Sequence, residues 1–127
     1  MKHVLSALIV GAAFAAAQAH AACDYPTAPG KFPDGSQATK DEMLAAKGLV
    51  VKYNSEMDTY LLCIKGEYDA SVSGLSSPSK DDLAKLEKAQ VQKQDAALKE
   101  VTDVTERFNE QLRAWKAKNV VAEKKPS

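Results

Sequence analysis

The stretch from Thr39 to Tyr68 constrains the fold more than any other part of the chain. Apolar residues recur along it in steps of three and four, which places them on one face of a helix. They are Met43, Ala46, Val50, Tyr53, Met57, Tyr60, Ile64 and Tyr68. Thr39 and Glu42 have the spacing of a capping box, so we expect the helix to begin there. The pattern predicts a helix over residues 39–71.

A second stripe lies on nearly the opposite side of the same helix. When each residue is rotated by about 100°, small and apolar residues cluster there. Its candidate interface residues are Leu44, Gly48, Val51, Leu62 and Gly66, with Ser55 and Thr59 between them. Each glycine costs a helix about 1 kcal/mol relative to alanine, which close approach of another backbone would offset. A tolerant solvent-exposed face is the alternative interpretation.

A second helix is predicted over residues 78–118. The segment from Ser73 to Ser79 contains Gly74, Pro78 and four serines, and so interrupts the first helix. Ser77 followed by Pro78 can start the next helix, with Ser79 and Asp82 as an alternative cap. Its apolar stripe comprises Leu83, Leu86, Gln90, Gln94, Ala97, Val101, Val104, Phe108, Leu112 and Trp115. Residues 119–127 are expected to form a frayed tail that begins at Asn119.

Two helices joined by a short loop form an antiparallel hairpin. The sequence therefore predicts an all-α protein, with a long two-helix hairpin over residues 39–118. A hairpin of this kind has a thin core, and such small domains usually need a covalent tie or a partner.

The first 21 residues have the features of a signal peptide. Lys2 precedes an uncharged apolar run from Val4 to Ala17, and Ala19-His20-Ala21 matches a cleavage signal. That run is short for a membrane span, so we expect no membrane association after signal removal. The prediction is a periplasmic or secreted protein.

Cys23 and Cys63 are the only cysteines, and export to an oxidising compartment predicts a disulfide between them. Residues 22–38 are rich in proline and form an extended strap. At about 3.1 Å per residue the strap spans roughly 50 Å, enough to run back along the first helix to Cys63. We expect it to place Tyr25 and Phe32 on apolar surface. Whether it packs on the seam between the helices or on the glycine side is left open by the sequence.

Composition excludes several chemistries. Both histidines, His3 and His20, fall in the predicted signal peptide, so histidine-based nucleophilic schemes and histidine metal sites are not expected. With both cysteines bonded, no thiolate remains, and we expect no cofactor and no metal. Seventeen basic residues balance seventeen acidic ones, which argues against a nucleic-acid partner.

The motifs at Cys23-x-Tyr25-Pro26, Pro33-Asp34-Gly35 and Tyr60-Leu61-x-Cys63 resemble those of a group of small exported bacterial proteins. Glu42-Met43, Tyr53, Met57 and the Phe108-Asn109-Glu110-Gln111 stretch extend the resemblance over most of the chain after the signal peptide. That group has no assigned activity. The resemblance implies a shared scaffold with paired cysteines and supplies no catalytic residue.

These features favour a non-enzymatic binding or self-assembling module, whose partner is an unidentified protein or a second copy of the chain. A periplasmic chaperone-like holdase is the alternative. A hydrolase based on carboxylates such as Glu56 and Glu67 is the third hypothesis, although a hairpin offers no evident cleft for paired carboxylates.

Overall fold

The structure, a computed structural model, describes residues 22–124. It contains two helices, α1 (Lys40–Ser73) and α2 (Lys80–Glu123), packed against each other as an antiparallel hairpin. The predicted signal peptide, residues 1–21, lies outside the described residues. Within the described part of the chain, no helix is both long and apolar enough to cross a membrane.

Both helices begin at capping boxes. Thr39 caps α1 as predicted: its hydroxyl accepts from the Glu42 amide, and its own amide donates to the Glu42 carboxylate. At α2, Ser79 is the cap, paired in the same way with Asp82. The start favoured by the sequence, Ser77 with Pro78, is therefore two residues too early, because the reciprocal bonds of Ser79 and Asp82 satisfy free amides of the first turn.

The end of α2 also differs from the expectation. The helix does not stop at Lys118 but continues to Glu123, so residues 119–123 are helical rather than part of a tail. Asn119 was expected to end the helix. Instead its side-chain amide donates to the Trp115 carbonyl oxygen at 2.8 Å, one turn back, which is compatible with an unbroken helix.

The core lies between the two helices and the strap. The apolar face predicted for α1 is buried from Met43 to Ile64, and Tyr68 near its end is half-buried. From α2, Ala97, Val104 and Phe108 are buried, whereas Gln94 is exposed. Ala38 of the strap is buried in this cluster, and Phe32 is packed against it. The strap thus adds a third layer to what would otherwise be a two-layer core.

Asp34 organises the turn that leads from the strap into α1. Its carbonyl accepts from the amides of Gln37 and Ala38, at 3.0 and 2.8 Å. The Asp34 carboxylate accepts from the Ser36 amide at 2.9 Å. Together these bonds form a turn over residues 34–38.

Candidate functional site: the strap and the outward face of the first helix

The strap lies along the seam, in the groove between α1 and α2. Its two aromatic side chains lie on apolar surface, as the sequence predicted, and the structure places them in that groove. The Tyr25 ring packs edge-to-face on Tyr60 of α1, with centroids 4.8 Å apart. The Phe32 ring packs on Phe108 of α2 in the same geometry at 5.6 Å. One aromatic contact to each helix fixes the strap between them.

The disulfide holds the start of the strap. Cys23 is bonded to Cys63, and their Cα atoms lie 5.7 Å apart. The Cys23 amide donates to the Glu67 carboxylate at 3.3 Å, and the other oxygen of Glu67 pairs with Lys93 of α2 at 3.0 Å. Glu67 therefore connects strap, α1 and α2 at one point.

Polar side chains of α2 hold the rest of the strap by its backbone and its tyrosine. Arg107 donates to the carbonyl oxygens of Gly30 and Pro29 at 2.7 and 3.2 Å, and its guanidinium lies 5.7 Å from the Phe32 ring centroid. The other members of this polar row are Glu100, which accepts from the Tyr25 hydroxyl at 2.6 Å, Gln111, which accepts from the Gly35 amide at 2.9 Å, and Lys118, which donates to the Ala38 carbonyl at 3.4 Å.

Sequence reasoning did not find this polar row. Its signal is a spacing of seven: Glu100 and Arg107 are seven residues apart, as are Gln111 and Lys118. Lys93, the partner of Glu67, lies seven residues before Glu100. Seven residues are close to two helical turns, so such residues form a line on one side of the helix. The role of these residues in binding the strap can be recognised only when an extended segment is known to lie beside them.

The perturbed ionisable groups belong to these structural contacts. Burial, with the hydrogen bond to Glu100, raises the pKa of Tyr25, and burial raises the pKa of Tyr53. Hydrogen bonds from Ser36 lower the pKa of Asp34, and those from Thr39 lower the pKa of Glu42. Each shift has a cap, a turn, the strap or burial in the core as its cause.

The carboxylates considered for hydrolysis have lysine partners. Glu56 pairs with Lys52 at 3.3 Å and Glu67 with Lys93 at 3.0 Å. Among the residues that the structure describes, no group of histidines, cysteines, aspartates and glutamates is arranged to hold a metal ion.

The strap leaves the outward face of α1 uncovered. Leu44, Val51 and Leu62 are 54%, 59% and 72% exposed. At Gly48 and Gly66 an added Cβ would meet no atom within 4 Å outside the helix's own backbone. The strap packs on the seam, so the close approach expected at these glycines is not provided by the described chain itself. The predicted interface residues therefore share one open face.

Comparisons with known proteins found no matching family model, no matching curated protein and no matching solved structure.

Proposed function

We propose that the protein is an exported, non-enzymatic interaction module whose binding face is the outward side of α1. The observation that carries this proposal is the exposure of three large apolar side chains, Leu44, Val51 and Leu62, along one face of a single helix. Scattered apolar residues are normal on protein surfaces, but an aligned row is typical of an association surface.

The construction of the fold supports the same proposal. The core is built from the opposite face of α1, from α2 and from the strap, so the outward face contributes nothing to it. A helix fixed along its length by a hairpin partner and a disulfide-bonded strap presents its outward side chains rigidly. Rigid presentation lowers the entropy lost on binding.

Export is supported by the predicted signal peptide together with the Cys23–Cys63 disulfide, since disulfides persist mainly in oxidising compartments. A periplasmic or secreted location follows from the same proposal. Non-enzymatic action is supported by the assignment of each perturbed carboxylate to a cap or turn.

The test introduces charge on the proposed face. Val51→Glu with Leu62→Glu should abolish association of the mature protein, because burying an unpaired carboxylate costs several kcal/mol. A photo-reactive side chain at Val51 should also form adducts in cells, whereas the same group at Lys88 on α2 should not. Helix content and thermal unfolding serve as controls for folding. Association that persists in the folded double variant would refute the proposed face.

A further inference from the structure

We propose that a second copy of this chain covers the outward face of α1, packed antiparallel about a two-fold axis that passes beside Ser55. This inference rests on the proposed function and names the partner of the same surface. The surface is the set of seven positions on that face: Leu44, Gly48, Val51, Ser55, Thr59, Leu62 and Gly66.

The spacing of these positions is symmetric about its centre. From Leu44 to Gly66 the steps are four, three, four, four, three and four residues, which reads the same in both directions around Ser55. In a two-fold interface, residue i of one copy meets residue j of the other, and j meets i. An antiparallel helix pair centred on Ser55 therefore aligns all seven positions with one another.

The sizes of the side chains are complementary in that alignment. Leu44 comes level with Gly66 of the second copy, and Leu62 with Gly48, so that each exposed leucine meets a glycine. The space above both glycines is open, and both leucines project from the surface. Val51 comes level with Thr59, and Ser55 with its own copy. Large-against-small pairing is how helices pack knobs into holes at close distance.

Other arrangements of the same face lack this complementarity. In a parallel pair, Leu44 would meet Leu44 and Gly48 would meet Gly48, which crowds one level and leaves a void at the next. An antiparallel pair shifted by one heptad would bring Gly48 level with Ser55, and no glycine would face a leucine. Only the pair centred on Ser55 places both glycines opposite both leucines.

Polar groups on and beside the face fit the same pair. The Thr59 hydroxyl donates to the Ser55 carbonyl of its own helix at 3.1 Å, so it keeps a partner when it is covered. At the flank, Lys40 lies within one residue of the level of Asp69 of the second copy. Lys47 lies within two residues of the level of Lys65, whose charge is already paired with Asp69 of its own helix at 2.6 Å. The flank therefore adds one attraction and one partly neutralised repulsion.

The proposed contact between the two α1 helices is short, so its dimerisation must be tested at high protein concentrations. From Leu44 to Gly66 the helix rises about 33 Å at 1.5 Å per residue. A single pair of helices over that length lies at the small end of specific interfaces, where association is weak and transient. We expect a dimer with a Kd on the order of micromolar, to be followed over about 1 µM to 1 mM by sedimentation and light scattering.

Size-swap variants test the register. Gly48→Leu should weaken dimerisation at least tenfold, because it fills the space that Leu62 of the second copy would occupy. Adding Leu62→Ala to that variant should restore the affinity to within a few-fold of the original, since the large and small partners have exchanged places. Ala45→Leu, an exposed position on the same helix away from the face, is the matched control and should leave dimerisation unchanged.

Disulfide trapping tests the axis. Ser55→Cys should form a covalent dimer on oxidation, because a residue beside a two-fold axis meets its own copy, whereas Ala45→Cys should not. Mass analysis confirms that Cys23–Cys63 stays intact. A protein that remains monomeric to about 1 mM, or a dimer that Ser55→Cys traps no better than Ala45→Cys, would overturn the inference. If adducts at Val51 then contain a different macromolecule, the proposed function survives while the second copy is excluded.

Discussion

Replacement of Gly35 by alanine should detach the strap's turn from α2. Gly35 is buried in the turn before α1, and its amide donates to the Gln111 side chain at 2.9 Å. A Cβ added there would overlap the carbonyl of Gln111, lying 2.7 Å from its carbon, and would come within 3.0 Å of the Trp115 nitrogen. These atoms belong to the helix backbone, so no side-chain rotation relieves the overlap. The φ angle of Gly35 is not positive, so the close approach alone requires glycine.

The size of the effect follows from two losses. Forcing one carbon into a packed contact costs about 1–3 kcal/mol, and displacement of the turn also breaks the Gly35–Gln111 hydrogen bond, worth about 1 kcal/mol. Together they lower the free energy of unfolding by about 2–4 kcal/mol. For a domain of this size that corresponds to a fall in Tm of roughly 10–20 °C.

Gly30→Ala is the matched control, because nothing lies within 4 Å of a Cβ added at that strap glycine. It should change stability by less than about 0.5 kcal/mol, or stabilise slightly by restricting the unfolded chain. Urea unfolding followed by circular dichroism measures the helices. Fluorescence of Trp115, the only tryptophan, reports on the turn beside it. Equal stabilities for the two variants, with unchanged Trp115 emission, would refute the argument from close approach.

Two further predictions concern the covalent tie and a helix cap. Removing the disulfide by Cys23→Ser with Cys63→Ser should lower the free energy of unfolding by about 4 kcal/mol, because it closes a loop with a sequence separation of 40 residues. It should also speed proteolysis of the strap. An unchanged free energy of unfolding in urea, with an unchanged rate of proteolysis, would contradict this prediction. Glu42, whose pKa the Thr39 bonds hold below its usual 4.5, stabilises the fold above that pH and loses this contribution as the pH falls through the lowered pKa. Glu42→Gln should therefore flatten the acid limb of a Tm-against-pH curve, and an identical limb in both proteins would exclude this role.

The parts of the fold that could be predicted from the sequence are those fixed by local bonds and by the period of a helix. The Thr39–Glu42 box and the apolar face of α1 involve residues three or four apart, so their pattern is visible without tertiary structure. The start of α2 was ambiguous because Ser77 and Ser79 both precede suitable residues, and only the bonds made by Asp82 distinguish them. At the far end, Asn119 has a partner within its own helix, which a residue preference does not reveal.

The path of the strap could be predicted from the sequence only in part. Two cysteines and a sufficient length of chain predicted that it returns along α1, and both features are properties of the sequence. Its side was undetermined because Cys63 lies between the two faces of α1, and either path can reach it. The path is decided by Glu100, Arg107 and Gln111, which are on the other helix and more than seventy residues from their strap partners. The spacing of seven between Glu100 and Arg107 does not show that the strap is their partner.

The side taken by the strap also determines the interpretation of the outward face. A strap over the glycines would have explained Gly48 and Gly66 as sites of close packing within one chain, and the apolar stripe would have been part of the core. Because the strap fills the seam instead, the seam residues are buried in the folded chain, whereas Leu44, Val51 and Leu62 are exposed to solvent. Two helix-weakening glycines then lie opposite the core, at positions symmetric with those of two leucines, and nothing in the described chain packs on them. The proposed second α1 would occupy the space above both glycines and so offset their cost to α1.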